Sequence, residues 1–303
     1  MKNASCARFA ERLRKNSRKG GRILRAMFEL TYRCNFECGH CYVPVPYRKR
    51  PELATKQVFR ILDQLKSAGC FYLGFTGGEP LLRADALAIL SYACRSGFEV
   101  ALYTNGSLID APLARELSRL RLNKIDITVP GFSSQVFDRV TRLPGSRQRV
   151  FRAIELLHAR KVPLALKSCL LPENGNEIPR IKALARSIGA FYRVDDQVSA
   201  RLDGSGPLQR DGEEPAAKGR RDLCVCGIAV TQAAVTPEGF LKPCLMLEDP
   251  RVGILKLGLD QAWARLRRGV ARLARQAAAA PVGTAVPCLA EWRLAGLAGP
   301  ASL

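Results

Sequence analysis

Three cysteines, Cys34, Cys38 and Cys41, stand in the run Thr31-Tyr-Arg-Cys-Asn-Phe-Glu-Cys-Gly-His-Cys-Tyr42, a C-x3-C-x2-C spacing. Thiolates serve both zinc and iron–sulfur clusters, and ligand number separates the two. A structural zinc site prefers two C-x2-C pairs, so a lone triplet leaves zinc short of its four ligands. An iron–sulfur cluster is normally held by four thiolates, and three leave one iron open to a substrate or cofactor. Inert buried cysteines belong within apolar elements, because a free Cys behaves as a small hydrophobe. These lie instead among Asn35, Glu37 and Gly39, in loop-like sequence just after the apolar stretch from Ala26 to Tyr32. That is the setting of a ligand loop. Further along, Thr76-Gly-Gly-Glu-Pro80 adds a glycine pair and a carboxylate.

Something must hold these residues together, and the chain around them alternates between two patterns. Short runs rich in β-branched and aromatic residues predict strands at 25–31, 71–76, 99–104, 124–129, 163–169 and 191–195. Between them, 53–68, 82–96, 110–121, 147–161 and 176–188 carry apolar residues three and four apart, as Leu87, Leu90, Ala93 and Cys94 illustrate, and predict helices. Strands alternating with helices specify a parallel sheet with right-handed crossovers, hence an α/β architecture or open barrel. Chemistry in such barrels collects at the C-terminal strand ends. The cysteine loop, Gly77-Gly-Glu-Pro80 and Asn105-Gly106 all follow predicted strands, and would share one mouth. The polar, turn-rich stretch 201–221 reads as a linker. Beyond it, Cys224-Val-Cys-Gly227, Pro237-Glu-Gly-Phe240 and Lys242-Pro-Cys244 predict a hairpin bounded by cysteines.

The 303 residues can bury a large core, enough for one barrel-sized domain plus a smaller one. No apolar run approaches the roughly 18 residues needed to cross a bilayer. The Lys/Arg-rich N-terminus lacks the apolar segment of a secretory signal, which points to the cytoplasm. In a reducing compartment clustered cysteines mean metal or redox chemistry. Of the eleven cysteines, Cys70, Cys94 and Cys169 stand singly and read as packing residues. A net charge of +21 would attract an acidic partner over a distance. Part of the excess lies in an N-terminal arm, 1–24, and part in Arg265-Leu-Arg-Arg-Gly-Val-Ala-Arg-Leu-Ala-Arg275. Tyr32, Tyr42 and Tyr47 are not interleaved with the basic runs, which weakens a nucleic-acid reading.

Residues 25–200 resemble the radical S-adenosylmethionine (radical SAM) superfamily, with several separated motifs in order. The resemblance implies a partial (β/α)6 TIM-like barrel. It also implies a [4Fe-4S] cluster on Cys34, Cys38 and Cys41, with S-adenosylmethionine (SAM) on the open iron. His40 fills the place of an aromatic that packs on the adenine. Gly77, Gly78 and Glu79 match the motif that receives the methionine ammonium group, and Asn105 a segment near the sugar. Ile127-Thr-Val-Pro-Gly131 departs from the family pattern by placing Pro130 at an acidic position, so that Thr128 alone keeps a hydroxyl. Within Asp138-Arg-Val-Thr-Arg-Leu-Pro-Gly145, Arg142 is chosen over Arg139 for the SAM carboxylate, because a guanidinium fork suits a carboxylate.

The part from 222 to 303 resembles the small SPASM or twitch domain of peptide-modifying relatives, through Cys224, Gly227, Gly239, Cys244, Val252-Gly-Ile254 and Trp263. Such domains bind auxiliary iron–sulfur clusters. Here Cys224, Cys226, Cys244 and Cys288 supply at most four ligands, enough for one auxiliary cluster. The resemblance implies an external electron donor of the flavodoxin or ferredoxin type. It also implies a 5′-deoxyadenosyl radical that takes hydrogen from a substrate, most naturally a ribosomally made peptide or protein with an acidic leader. Tetrapyrrole (heme-type) side-chain modification is the rival among enzymes. A nucleic-acid-binding protein with a structural cluster is the rival outside them.

Overall fold

A computed structural model describes residues 21–196, 201–205 and 229–279. Residues 1–20 of the predicted arm 1–24, most of the predicted linker, and Cys224, Cys226 and Cys288 lie outside the described residues. Six parallel strands form an α/β partial barrel: β1 (Arg25–Thr31), β2 (Tyr72–Gly77), β3 (Glu99–Thr104), β4 (Lys124–Thr128), β5 (Leu164–Cys169) and β6 (Phe191–Asp195). They lie side by side in chain order, as short connections between consecutive elements favour.

Alternation along each strand divides the sheet into two faces. In β1, Ala26, Phe28 and Leu30 are buried. They join the core formed by Leu73 and Phe75 of β2, Val100 and Leu102 of β3, and the helices α1 (Thr55–Ser67), α2 (Ala86–Arg95) and α3 (Ala111–Arg119). Val58, Ile61, Leu62 and Leu65 of α1 fall three and four apart and are all buried, the spacing of one helix face. Each such side chain contributes about 1.5–3 kcal/mol. The opposite face carries Met27, Gly74 and Tyr103. A Cβ on Gly74 would lie 2.6 Å from the Met27 sulfur, so glycine there is what admits the two larger side chains.

The helices after β4 differ from the sequence reading in one respect. Between β4 and the predicted helix now seen as α5 (Ser146–Ala159), a further helix, α4 (Ser134–Thr141), forms. Ser133 caps it by accepting from Val136 N at 3.3 Å, and the Glu177 carboxylate accepts from Phe132 N and Ser133 N. Its remaining counterpart, α6 (Ile178–Ser187), precedes β6.

After residue 229 the predicted hairpin is present and continues the sheet. Strand β7 (Gln232–Val235) pairs parallel with β1, and β8 (Phe240–Lys242) and β9 (Val252–Gly253) follow antiparallel. Two helices, α7 (Ile254–Leu257) and α8 (Leu259–Ala279), close the described chain, with Leu259, Ala262, Leu266 and Val270 buried in the same core.

Candidate cofactor site

The C-terminal ends of β1, β2, β3 and β4 lie side by side, and Cys34, Cys38, Cys41, Gly77, Gly78, Glu79, Asn105 and Thr128 end these strands or follow them. The loop after β1 carries Cys34, Cys38 and Cys41, all half-buried. It contains no helix or strand and is held from outside. Gly78 N donates to Thr31 O at 2.7 Å and Glu79 N to Arg33 O at 2.8 Å, zipping the loop after β2 onto it. Both glycines are required by this approach: a Cβ on Gly77 would lie 2.1 Å from Thr31 O, and one on Gly78 2.2 Å from Arg33 O. Gly77 also has φ +139°, which L side chains rarely adopt.

Glu79 is fully buried and serves as a brace. Its carboxylate accepts from Leu81 N at 3.0 Å, Thr104 Oγ1 at 2.8 Å and Asn105 N at 2.7 Å, which locks the β2 and β3 loops together. Burial pushes its pKa up to about 7 in spite of these three donors. Asn105, fixed in this way, donates from Nδ2 to Asn35 Oδ1 at 2.8 Å and lies 3.9 Å from Cys34 Sγ. Ser107 completes the link by accepting from Asn35 Nδ2 at 2.8 Å.

Two further supports were not visible in the sequence. The last carbonyls of α4 hold the loop, Thr141 O accepting from Glu37 N at 3.0 Å and Val140 O from Gly39 N at 3.3 Å. Arg48, on a short 3-10 helix at Val45–Lys49, donates to Phe36 O at 2.7 Å and Cys34 O at 3.4 Å. Arg142 follows α4 in the left-handed region, φ 56°, with its side chain exposed. Thr128 is half-buried at the end of β4, where it pairs in register with Lys167 of β5.

The three thiols are each withdrawn from water, and Cys38 lies within the fields of the other two. Burial is the main cause that raises all three pKa values, Cys34 to about 11, and Cys38 is raised further by its neighbours Cys41 and Cys34. Loading metal therefore means displacing three protons. Among the described residues, no group of three or more His, Cys, Asp or Glu side chains is close enough to hold a metal ion. Three thiols on one loop, Cys38 lying within the fields of both Cys41 and Cys34, are the donor set of a cluster in which each thiolate takes its own iron. His40 Nδ1 is buried without a partner, and burial, then the nearby Lys167 charge, lowers its pKa to about 4. A neutral imidazole with an orphaned nitrogen suits an uncharged ligand atom beside the thiols.

Of the three cysteines read as packing residues, Cys70 is buried and Cys94 packs against the core. Cys169 does not belong with them. It ends β5 at the site mouth, its pKa raised chiefly by burial, within the fields of Lys167, Asp195 and Cys41. Cys244 is half-buried two residues beyond β8, while its proposed co-ligands Cys224, Cys226 and Cys288 lie outside the described residues.

Comparison with known proteins follows the same lines. The chain is 34% identical over 163 residues to the PqqA peptide cyclase of Gluconobacter oxydans, covering 54% of this chain and 46% of that one. It is 30% identical over 214 residues to the mycofactocin maturase MftC of Mycolicibacterium smegmatis, covering 70% and 54%. To an AdoMet-dependent heme synthase of Methanosarcina barkeri it is 30% identical over 169 residues, covering 55% and 48%. The chain thus spans about half the length of these curated relatives. In fold it matches Streptococcus suis SuiB bound to its precursor peptide SuiA, with a TM-score of 0.70 at 14% identity, over 86% of this chain and 70% of that one. The sequence model of the radical SAM superfamily matches residues 28–185, more than half of the chain, and the protein belongs to that superfamily.

Proposed function

We propose that this protein is a radical SAM enzyme that matures a ribosomally made peptide or protein. When bound, a [4Fe-4S] cluster with SAM on its open iron supplies a 5′-deoxyadenosyl radical able to take a hydrogen atom from a carbon of the substrate. Cys34, Cys38 and Cys41 would hold the cluster. Gly77, Gly78, Glu79, Asn105, Thr128, Arg142 and His40 would shape the SAM pocket, Glu79 as the brace beneath it. The observation that carries this reading is the cysteine loop itself, whose backbone at Thr31 and Arg33 is clamped against the Gly77–Glu79 loop at the strand ends and which carries three half-buried thiols. The peptide substrate is supported by one relative named a peptide cyclase and another named a maturase. Cys224, Cys226, Cys244 and Cys288 are the proposed ligands of one auxiliary cluster. A flavodoxin- or ferredoxin-type donor would supply the electron, in the cytoplasm.

A second reading, modification of tetrapyrrole side chains, has a specific support in the heme synthase relative. The sheet face that carries Lys124, Lys167 and Arg193 against Asp126 and Asp195 holds an excess of one positive charge, which would favour a carboxylate of either substrate. Lys124 and Lys167 stand there beside Asp126 and Asp195 at 2.6 and 2.9 Å, with Arg193 3.1 Å from Asp195.

The test is anaerobic iron and sulfide analysis with EPR, on the reconstituted protein and on a variant with Cys34, Cys38 and Cys41 all changed to Ala, each with and without SAM. The reading expects the variant to lose a cluster whose signal SAM perturbs, and the intact chain to release 5′-deoxyadenosine. An intact chain that binds zinc in place of iron would sink it. Stimulation of SAM cleavage by an iron porphyrin, and not by acidic peptides, would favour the second reading.

A further inference from the structure

Among the described ion pairs, one has both partners fully buried. Lys242 Nζ of β8 lies 2.9 Å from Glu29 Oε2 of β1. Taking two charges out of water is costly, and such a pair is weak evidence for stability, so its use is to be sought in what it positions. The Glu29 carboxylate has two further partners. Its Oε1 accepts from Tyr42 Oη at 2.8 Å, and its Oε2 from Tyr32 Oη at 3.2 Å. Tyr42 is the residue after Cys41. Lys242 also donates to Leu245 O at 3.3 Å, which turns the chain around Cys244.

The same hairpin grips the chain beyond Cys41 at two other points. Arg50 lies 3.3 Å from Glu238 and 2.9 Å from Glu248, with its guanidinium 3.2 Å from the centre of the Tyr47 ring. Leu53 N donates to Pro237 O at 2.8 Å. The outgoing limb of the cysteine loop is therefore fastened to the C-terminal hairpin along its length, and the fastening nearest a thiol is the chain Cys41–Tyr42, Glu29, Lys242.

We propose that Glu29 and Lys242 are positioning residues of the cysteine loop: through the Tyr42 hydroxyl they set where Cys41 presents its thiol, so that the hairpin belongs to the machinery of the SAM site whatever it binds itself. This rests on the cluster reading for its spectroscopic arm only. Three variants of the full chain test it: Tyr42→Phe, the double change Glu29→Gln with Lys242→Met, and all three together. Phenylalanine keeps the ring and removes one hydroxyl. The double change removes both charges without stranding a carboxylate, and because glutamine offers one acceptor oxygen where Glu29 offers one to each tyrosine, it gives up one of the two tyrosine bonds.

In the cluster-free protein, amide hydrogen exchange over residues 34–42 is expected to quicken in each variant by about fivefold, the worth of one net hydrogen bond. In the reconstituted protein, the SAM concentration that half-saturates the EPR change is expected to rise by a similar factor. The triple variant should lose less than the product of the separate effects, because all three residues act through one network. Variants that melt earlier, yet exchange and respond to SAM as the parent does, would show a merely structural role and overturn the proposal. So would effects that multiply independently. A parent chain with no SAM-dependent signal would refute the cluster reading alone, because the exchange measurement still decides the positioning role.

Discussion

Replacing Glu79 with Gln sets two opposing forces against each other. A carboxylate that accepts backbone N–H bonds is drawn below its solution pKa, whereas one removed from water is pushed above it. Glu79 meets both conditions, and burial prevails, taking it from 4.5 to about 7. Between those values the folded chain keeps a proton that the unfolded chain has released, so stability falls as pH rises through the window. At 1.36 kcal/mol per pH unit the loss is roughly 3 kcal/mol. Glutamine has no proton to release. Its oxygen can still accept from Leu81 N and Thr104, but its NH2 group then faces the Asn105 N–H, a mismatch that costs about 1–3 kcal/mol at every pH. Urea denaturation of both cluster-free chains should thus find the parent more stable at pH 5, with the gap closing or reversing by pH 8. A gap that widens with pH would mean the three donors outweigh burial, and the account of Glu79 would be wrong.

Gly78→Ala forces a Cβ against Arg33 O and breaks the two bonds that zip the loops together. A loss of about 2–4 kcal/mol is expected by thermal denaturation, together with reduced iron uptake. Asn105→Leu leaves Asn35 Oδ1 without its donor and should cost about 1–3 kcal/mol, with exchange at residues 34–38 quickened by the same variant. Ser133→Ala removes the α4 cap for about 1 kcal/mol. Because α4 ends on the carbonyls that hold Glu37 and Gly39, exchange at those two amides should rise with it, and unchanged protection there would separate the cap from the loop.

The barrel was legible because its signals are local. Strands β1 to β6 fall within two residues of the runs predicted for them, since alternation and β-branched content report the pleat wherever one face is buried. Helix α4 went unread because it is two turns long and buries only Phe137, Val140 and Thr141, too few to show a period. Ser133 followed by the apolar Val136, Phe137 and Val140 was the available sign of it. Gly77 and Gly78 were legible as part of a cofactor motif, and only the structure shows that a second backbone lies where their Cβ atoms would be. The Asn35–Asn105 contact, spanning 70 positions, and the Glu29–Lys242 pair have no sequence signature, because nothing in either stretch specifies its distant partner.

The three cysteines could be found by spacing alone, yet spacing does not place them. Their loop has no ladder or helix of its own, and a segment without regular structure is ordinarily the mobile part of a fold. A site that works must hold its first contacts within about 0.5 Å, which requires support from a rigid surrounding shell. Here the shell is assembled from four directions: the Gly78–Glu79 backbone after β2, Asn105 after β3, the carbonyl end of α4, and Arg48 from the short helix beyond. The hairpin strand β8 adds a fifth through Glu29 and Tyr42. Each support comes from a different stretch of chain, so the shape of the loop is set by contacts that no local sequence contains. That dispersal explains why the residue types announced the chemistry while the geometry that makes them usable had to come from the whole fold.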